Sequence, residues 1–340
     1  MMPQPENRAG LCSVAVMLGL LTVFFPLTSR AAQFGGDAEY SLFFGHHVTE
    51  PTARRIACTV AWLDALEKTA GALSAELLVQ LGAGTAPGRQ ALASAVFTPT
   101  VRSTLKGQQV SVQVRLSGSQ RTVEDRLRTM LHEREMLELH SEMLTLEREK
   151  ASEARGMAEQ PGALQRGMRG LRGAEQARVA LLAEQLEGLW QLRTLLPQRE
   201  NGLWSDPRTA LPVLRQATAL YPDYAPLLHL LGEVLLQLDR PQDALAELDK
   251  ALALRPVRAG ALYTRGLAYL RLQLPTLAER DFSAALTLDA SHAAWWRARG
   301  ALRMIRNETG PMCEDFTQAC SRGDCEGLAF ARERGACLAE

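Results

Sequence analysis

The last third of the chain repeats itself every 34 residues. Gly232, Gly266 and Gly300 recur at that interval, as do Leu248, Phe282 and Phe316, and Ala251, Ala285 and Ala319. Ala210, Leu214, Ala217 and Pro222 supply the second half of one earlier copy. This period constrains the fold more than any composition does, because each unit has room for two short amphipathic helices yet cannot bury their apolar faces alone. Small residues are required where the two helix backbones of a unit approach closely. The large residues are expected as knobs that fill the space between one hairpin and the next. At least three units must stack, and the chain holds three full copies and a half-copy.

The pattern resembles the tetratricopeptide repeat, whose signature is aromatic-x2-Leu-Gly-x2-Tyr, Ala-x3-Phe and a closing proline. The cleanest copy carries Leu228, Leu231, Gly232, Leu235, Ala244, Leu248, Ala251 and Pro256. The next keeps Leu262, Gly266, Tyr269, Ala278, Phe282 and Ala285, with Arg265 in place of leucine and Ala290 in place of proline. The third keeps Trp296, Gly300, Phe316 and Ala319, with Arg303 for tyrosine and Met312 for alanine, as a degenerate terminal repeat. The resemblance implies a concave groove lined by the first helix of each repeat. Its equivalents here are His229, Glu233 and Leu236, then Tyr263, Leu267 and Leu270, then Arg297, Ala301 and Met304. Co-chaperone repeats of this type clamp a peptide carboxylate with lysine and asparagine, and neither residue occurs at these positions. The leucine, methionine and tyrosine suit an apolar helix or extended peptide, anchored at the rim by Arg297 or Glu233. The alternative is a groove filled by the protein's own long helices.

Thirty-eight basic residues balance thirty-eight acidic ones, which argues against broad nucleic-acid binding or an electrostatic membrane tether. Residues 1–32 read as a signal peptide: Arg8, an apolar run over 11–25, Pro26, and Ser29-Arg30-Ala31 at a cleavage site. The run is short for a membrane span, so a cleaved signal and a periplasmic or otherwise exported protein are expected, with an uncleaved anchor as the alternative. Four of six cysteines crowd the carboxy terminus: Cys313, Cys320, Cys325 and Cys337. In an oxidising compartment these read as disulfides, and the rival zinc reading has neither CxxC nor a histidine pair. Cys313 and Cys320 lie seven residues apart on one helix, about 10 Å by helical rise, too far to bond directly. A turn over 321–324 should reverse the chain into a final helix, giving nested bridges, Cys320–Cys325 and Cys313–Cys337, that staple a capping helix over 324–340.

Residues 33–120 read as a small β-α-β-β domain. The expected elements are a strand over 38–44, a helix from Pro51 to about Leu81, a Gly/Pro loop over 82–88, and strands over 95–104 and 108–116. Val110, Val112 and Val114 alternate with polar neighbours. The Tyr40 strand, the helix from Arg54-Arg55 to Leu66-Glu67-Lys68 and the Val110–Val114 strand are similar to a small domain of bacterial envelope proteins, including the amino-terminal domain of flagellar assembly protein T. That likeness implies an envelope setting and carries no functional residue. Residues 121–196 form a helical connector, with a glycine-rich loop over 156–173 followed by a second helix over 174–195. In the first connector helix Val123, Met130, Leu137 and Leu144 recur every seven residues, but Arg126, Glu133, His140 and Glu147 stand where a dry seam needs apolar partners. A solvated amphipathic helix is therefore expected. The repeats then occupy 197–323.

No nucleophile elbow, phosphate loop or dinucleotide fingerprint occurs, and no motif calls for a cofactor, a metal or a small-molecule substrate. His46 and His47, with Asp37 and Glu39, are the one clustering of metal-type ligands in the amino-terminal domain, and adjacent histidines on a strand point to opposite sides. Cys58, among Ile56, Val60 and Trp62, reads as a small buried residue. The expectation is an α plus α+β protein, exported and non-enzymatic. It would serve as an adaptor for another envelope protein or a peptide segment of one, touching the membrane only by association. An architectural role, with the groove filled internally, and a metal-dependent enzyme are the alternatives.

Overall fold

The computed structural model describes residues 36–44, 48–70, 85–119, 122–123, 126–127, 134–159, 169–200 and 203–337. The signal segment, His46 and His47, Met130 and Glu133, and the expected helix end near Leu81 lie outside them.

The amino-terminal domain is a three-stranded antiparallel sheet in the order β1-β3-β2, formed by β1 (Asp37–Phe43), β2 (Thr98–Lys106) and β3 (Gln109–Ser117). Val110, Val112, Val114 and Leu116 of β3 are buried against helix α1 (Glu50–Ala70), as the strict alternation of β3 demands. One element differs from the sequence expectation. Helix α2 (Ala86–Val96) occupies the supposed loop end and strand start, because Thr85 caps Gly88 N–H and Pro87 opens an alanine-rich turn.

The connector is an antiparallel pair, α3 (Arg134–Glu159) and α4 (Arg169–Leu195). Gly156, Gly170 and Gly173 are helical, which corrects the expected loop at those positions, and the rest of that expected loop, over 160–168, lies outside the described residues. The hydration expected at His140 and Glu147 is also corrected: they are 4% and 2% exposed. Each is accommodated by a partner, His140 Nδ1 lying 2.7 Å from Met136 O and Glu147 accepting from Arg193 at 2.7 and 3.3 Å. Arg193 also lies 4.7 Å over the Trp62 ring, and Trp62 meets Trp190 edge to face at 5.7 Å. The connector is thus packed into α1 on one side.

On its other side α4 packs on α5 (Pro207–Leu220), with Leu220 set close over Gly188. Three helix pairs follow: α6 (Ala225–Gln237) with α7 (Pro241–Leu254), α8 (Ala259–Arg271) with α9 (Pro275–Leu288), and α10 (Ala293–Ile305) with α11 (Thr309–Cys320). Each pair turns through one residue of positive φ, Asp239, Gln273 and Asn307, again 34 residues apart. The knobs seat first within their own pair. Leu248, Phe282 and Phe316 press on Gly232, Gly266 and Gly300 of their own pair, where a Cβ would come within 2.6–2.7 Å. They close each hairpin, and two also reach the next unit, Phe282 clustering with Leu302 and Phe316 with Leu328; burying each contributes about 1.5–3 kcal/mol.

Helix α12 (Glu326–Glu333) caps the array. Cys313 is bonded to Cys337 and Cys320 to Cys325, the nested pairing. Gly327 of the cap meets the same edge of the Phe316 ring as Gly300, so one ring is approached by two helices.

Candidate peptide-binding face

The nine groove positions fall into three environments. In the first repeat, His229, Glu233 and Leu236 are buried at 4%, 9% and 8%. A short hairpin, β4 (Arg199–Glu200) with β5 (Leu203–Trp204), lies over them. Arg199 grips Glu233 with two parallel bonds of 2.7 and 2.8 Å. The Gln237 side-chain amide bonds the Trp204 backbone in both directions, at 2.9 and 2.6 Å. His229 Nε2 lies 3.0 Å from Thr264 Oγ1 and 3.4 Å from Glu233. These three residues therefore belong to an internal network. Sequence reasoning missed the hairpin because four strand residues give no periodic signal.

In the middle repeat, Tyr263, Leu267 and Leu270 are half-buried. Tyr263 stacks on Trp295 at 5.3 Å and leans on Phe282 at 5.6 Å, and burial pushes its phenol up to about 12, partly opposed by Arg297. Ala301 and Met304 of the third repeat continue the half-buried apolar strip. Arg297 is drawn away to the cap, bonding Glu326 at 2.7 Å and Asp324 at 3.2 Å. The rim anchors named from sequence, Glu233 and Arg297, are both engaged within the chain.

The flank of the array away from that strip carries a second periodic feature. Arg265 donates to Asp281 at 2.7 and 3.0 Å and to Asp249 at 2.8 Å. One period on, Arg299 donates to Asp315 at 3.0 and 2.8 Å and to Ser283 at 3.1 Å. Arg303 joins Asp315 at 3.0 Å and reaches Glu279. These arginines are the departures from the repeat signature. The first repeat has Leu231 at this position; grooves of about 370 Å³ lie along both repeats, one lined by Leu228, Leu231 and Leu235 and the other by Leu262, Arg265 and Asp281.

Residues 205–266 match a family model described as the tetratricopeptide repeat. The array is a tetratricopeptide repeat array. Among solved structures, it is similar to MamA from Desulfovibrio magneticus RS-1, at 20% identity over 52% of this chain and 97% of that one, TM-score 0.36. PilF of Pseudomonas aeruginosa matches at 18% identity over 56% and 84%, TM-score 0.38. YrrB, described as a tetratricopeptide repeat protein with an unusual peptide-binding site, matches at 17% identity over 63% and 96%, TM-score 0.36. No curated protein matches the chain in sequence.

Beyond the tetratricopeptide repeats, Asp37 and Glu39 are exposed on β1, and no cluster of three metal-type ligands occurs among the described residues. Cys58 is a free thiol pushed up to about 12, first by burial and then by Glu187 and Glu147. No helix among the described residues is long and apolar enough to cross a membrane.

Proposed function

We propose that this protein is an exported, non-enzymatic adaptor whose tetratricopeptide face takes an apolar segment of another envelope protein. The reading is carried by the strip Leu267, Leu270, Ala301 and Met304. It lies half-buried on two adjacent helices, with the Arg199 hairpin at one end and the Arg297-anchored cap at the other. An extended or helical apolar segment fits such a bounded strip. Export is supported by the apolar amino-terminal run and by a cap held with two disulfides. A photo-crosslinking side chain at Leu270, activated in cells, tests the proposal. A discrete adduct with an envelope protein supports it, and intramolecular adducts alone overturn it.

The architectural reading draws on a separate observation, that the first repeat's share of the face is already covered by the chain's own hairpin. Leu267→Glu separates the two. An adaptor loses partner capture at unchanged melting temperature, whereas a structural face loses stability.

A further inference from the structure

The sheet of the amino-terminal domain ends in a strand that nothing covers among the described residues. In β2, Thr98 and every residue from Thr100 to Lys106 are exposed, including Val101 at 40% and Leu105 at 49%. A flat strand edge with apolar side chains is normally shielded.

The ladder fixes which way its backbone points. Leu116 N–H bonds Gly36 O and Phe44 N–H bonds Gln108 O, so even-numbered residues of β3 face β1 and odd-numbered ones face β2. Given the β2–β3 register, Thr100, Arg102, Thr104 and Lys106 are spent on β3. Val101, Ser103 and Leu105 therefore aim their N–H and C=O outward. Their side chains share the face that carries α1, since Val101 stands beside Val114 and Leu105 beside Val110.

We infer that β2 pairs antiparallel with β2 of a second copy about a two-fold axis at Ser103, joining two sheets into one of six strands. The charges select this register. Centring the pair on Arg102 would set Arg102 against its own copy, and centring it on Thr104 would set Arg102 against Lys106. With Ser103 on the axis, Arg102 faces Thr104, Lys106 faces Thr100, and Val101 and Leu105 cover one another twice. Beside the axis, Arg54 bonds Ser103 Oγ at 3.0 Å and Glu50 at 2.6 Å. Each copy thus brings one cation and one anion to the dyad, where they can pair reciprocally. The β1 edge is a poor rival: its outward residues, Glu39, Ser41 and Phe43, carry side chains on the opposite face, so Glu39 would not meet Arg102. A dimer of this kind presents two peptide faces and gives the adaptor avidity.

The test uses the purified full chain in sedimentation velocity over a concentration series, with Ser103→Cys in a parallel mild oxidation. The expected results are a concentration-dependent dimer and an intermolecular disulfide at Cys-substituted 103, with none from Ser41→Cys. Ser103→Pro removes an outward N–H without touching the ladder, and should abolish the dimer with the circular dichroism of the wild type. Should that variant misfold, Val101→Lys tests the same edge. A monomer at all concentrations, or a dimer undiminished in the folded edge variants, overturns the inference.

Discussion

Arg265 holds Asp281 by two near-parallel hydrogen bonds in the position where the preceding repeat carries Leu231. Asp281 is 4% exposed, and its partner's guanidinium is held charged, first by that bond. Removing one member of such a pair strands a buried charge, whereas replacing both with apolar residues can be neutral. Arg265→Leu is expected to cost about 3 kcal/mol in urea unfolding. Adding Asp281→Leu should recover most of it, so a double variant as unstable as the single would contradict this account.

Gly266 leaves no room for a side chain. A Cβ there would sit 2.6 Å from Phe282 and 3.3 Å from Ala278 O, and Phe282 is fully buried. Gly266→Ala should lower stability by about 1–3 kcal/mol despite alanine's higher helix propensity. Gly156→Ala, in open helical space, should leave the melting temperature the same or higher.

Gln273 is the least suited of the three turn residues to its positive φ of 60°. Aspartate and asparagine, as at Asp239 and Asn307, tolerate that conformation better. Gln273→Gly should therefore stabilise the protein by about 0.5–1 kcal/mol, read as a raised melting temperature, the gain reduced by glycine's unfolded-state entropy.

Burial, and next the charge of Arg193, lower the His140 imidazole to about 4. The unfolded histidine, near 6.5, binds a proton that the folded one does not between these values, so stability rises with pH across that window and is lost as pH falls through it. The loss amounts to roughly 3 kcal/mol by pH 4. His140→Gln should flatten this part of the pH–stability curve, and an unchanged slope would place the dependence elsewhere.

The cap depends on its outer bridge, which closes 24 residues from Cys313 to Cys337. Serine at both positions should destabilise the cap by about 3 kcal/mol on the unfolded-chain entropy argument. Hydrogen exchange would show protection lost in α11 and α12 and kept in α6.

The repeats were legible because their period is long, thrice repeated and anchored by glycines whose size has one physical cause. The nested disulfides followed from helical rise, which separates Cys313 from Cys320, together with the turn over 321–324 that reverses the chain. Helix α2 was missed because its alanines look neutral beside the β-branched strand that follows. The candidate face was harder: its positions were readable, but not which of them would be covered.

By itself the sequence determined the repeat period, the helix pairs of the array and the three strands of the sheet, since periodicity and small-residue spacing act locally. Tertiary structure decided what those elements leave free. Arg199 reaches Glu233 from thirty-four residues away, Glu147 enters the core because Arg193 of α4 meets it there, and Arg297 turns to the cap. Each outcome depends on pairing charges across elements distant in sequence, buried at Arg193–Glu147 and Arg199–Glu233 and exposed at Arg297, and no local pattern encodes that pairing.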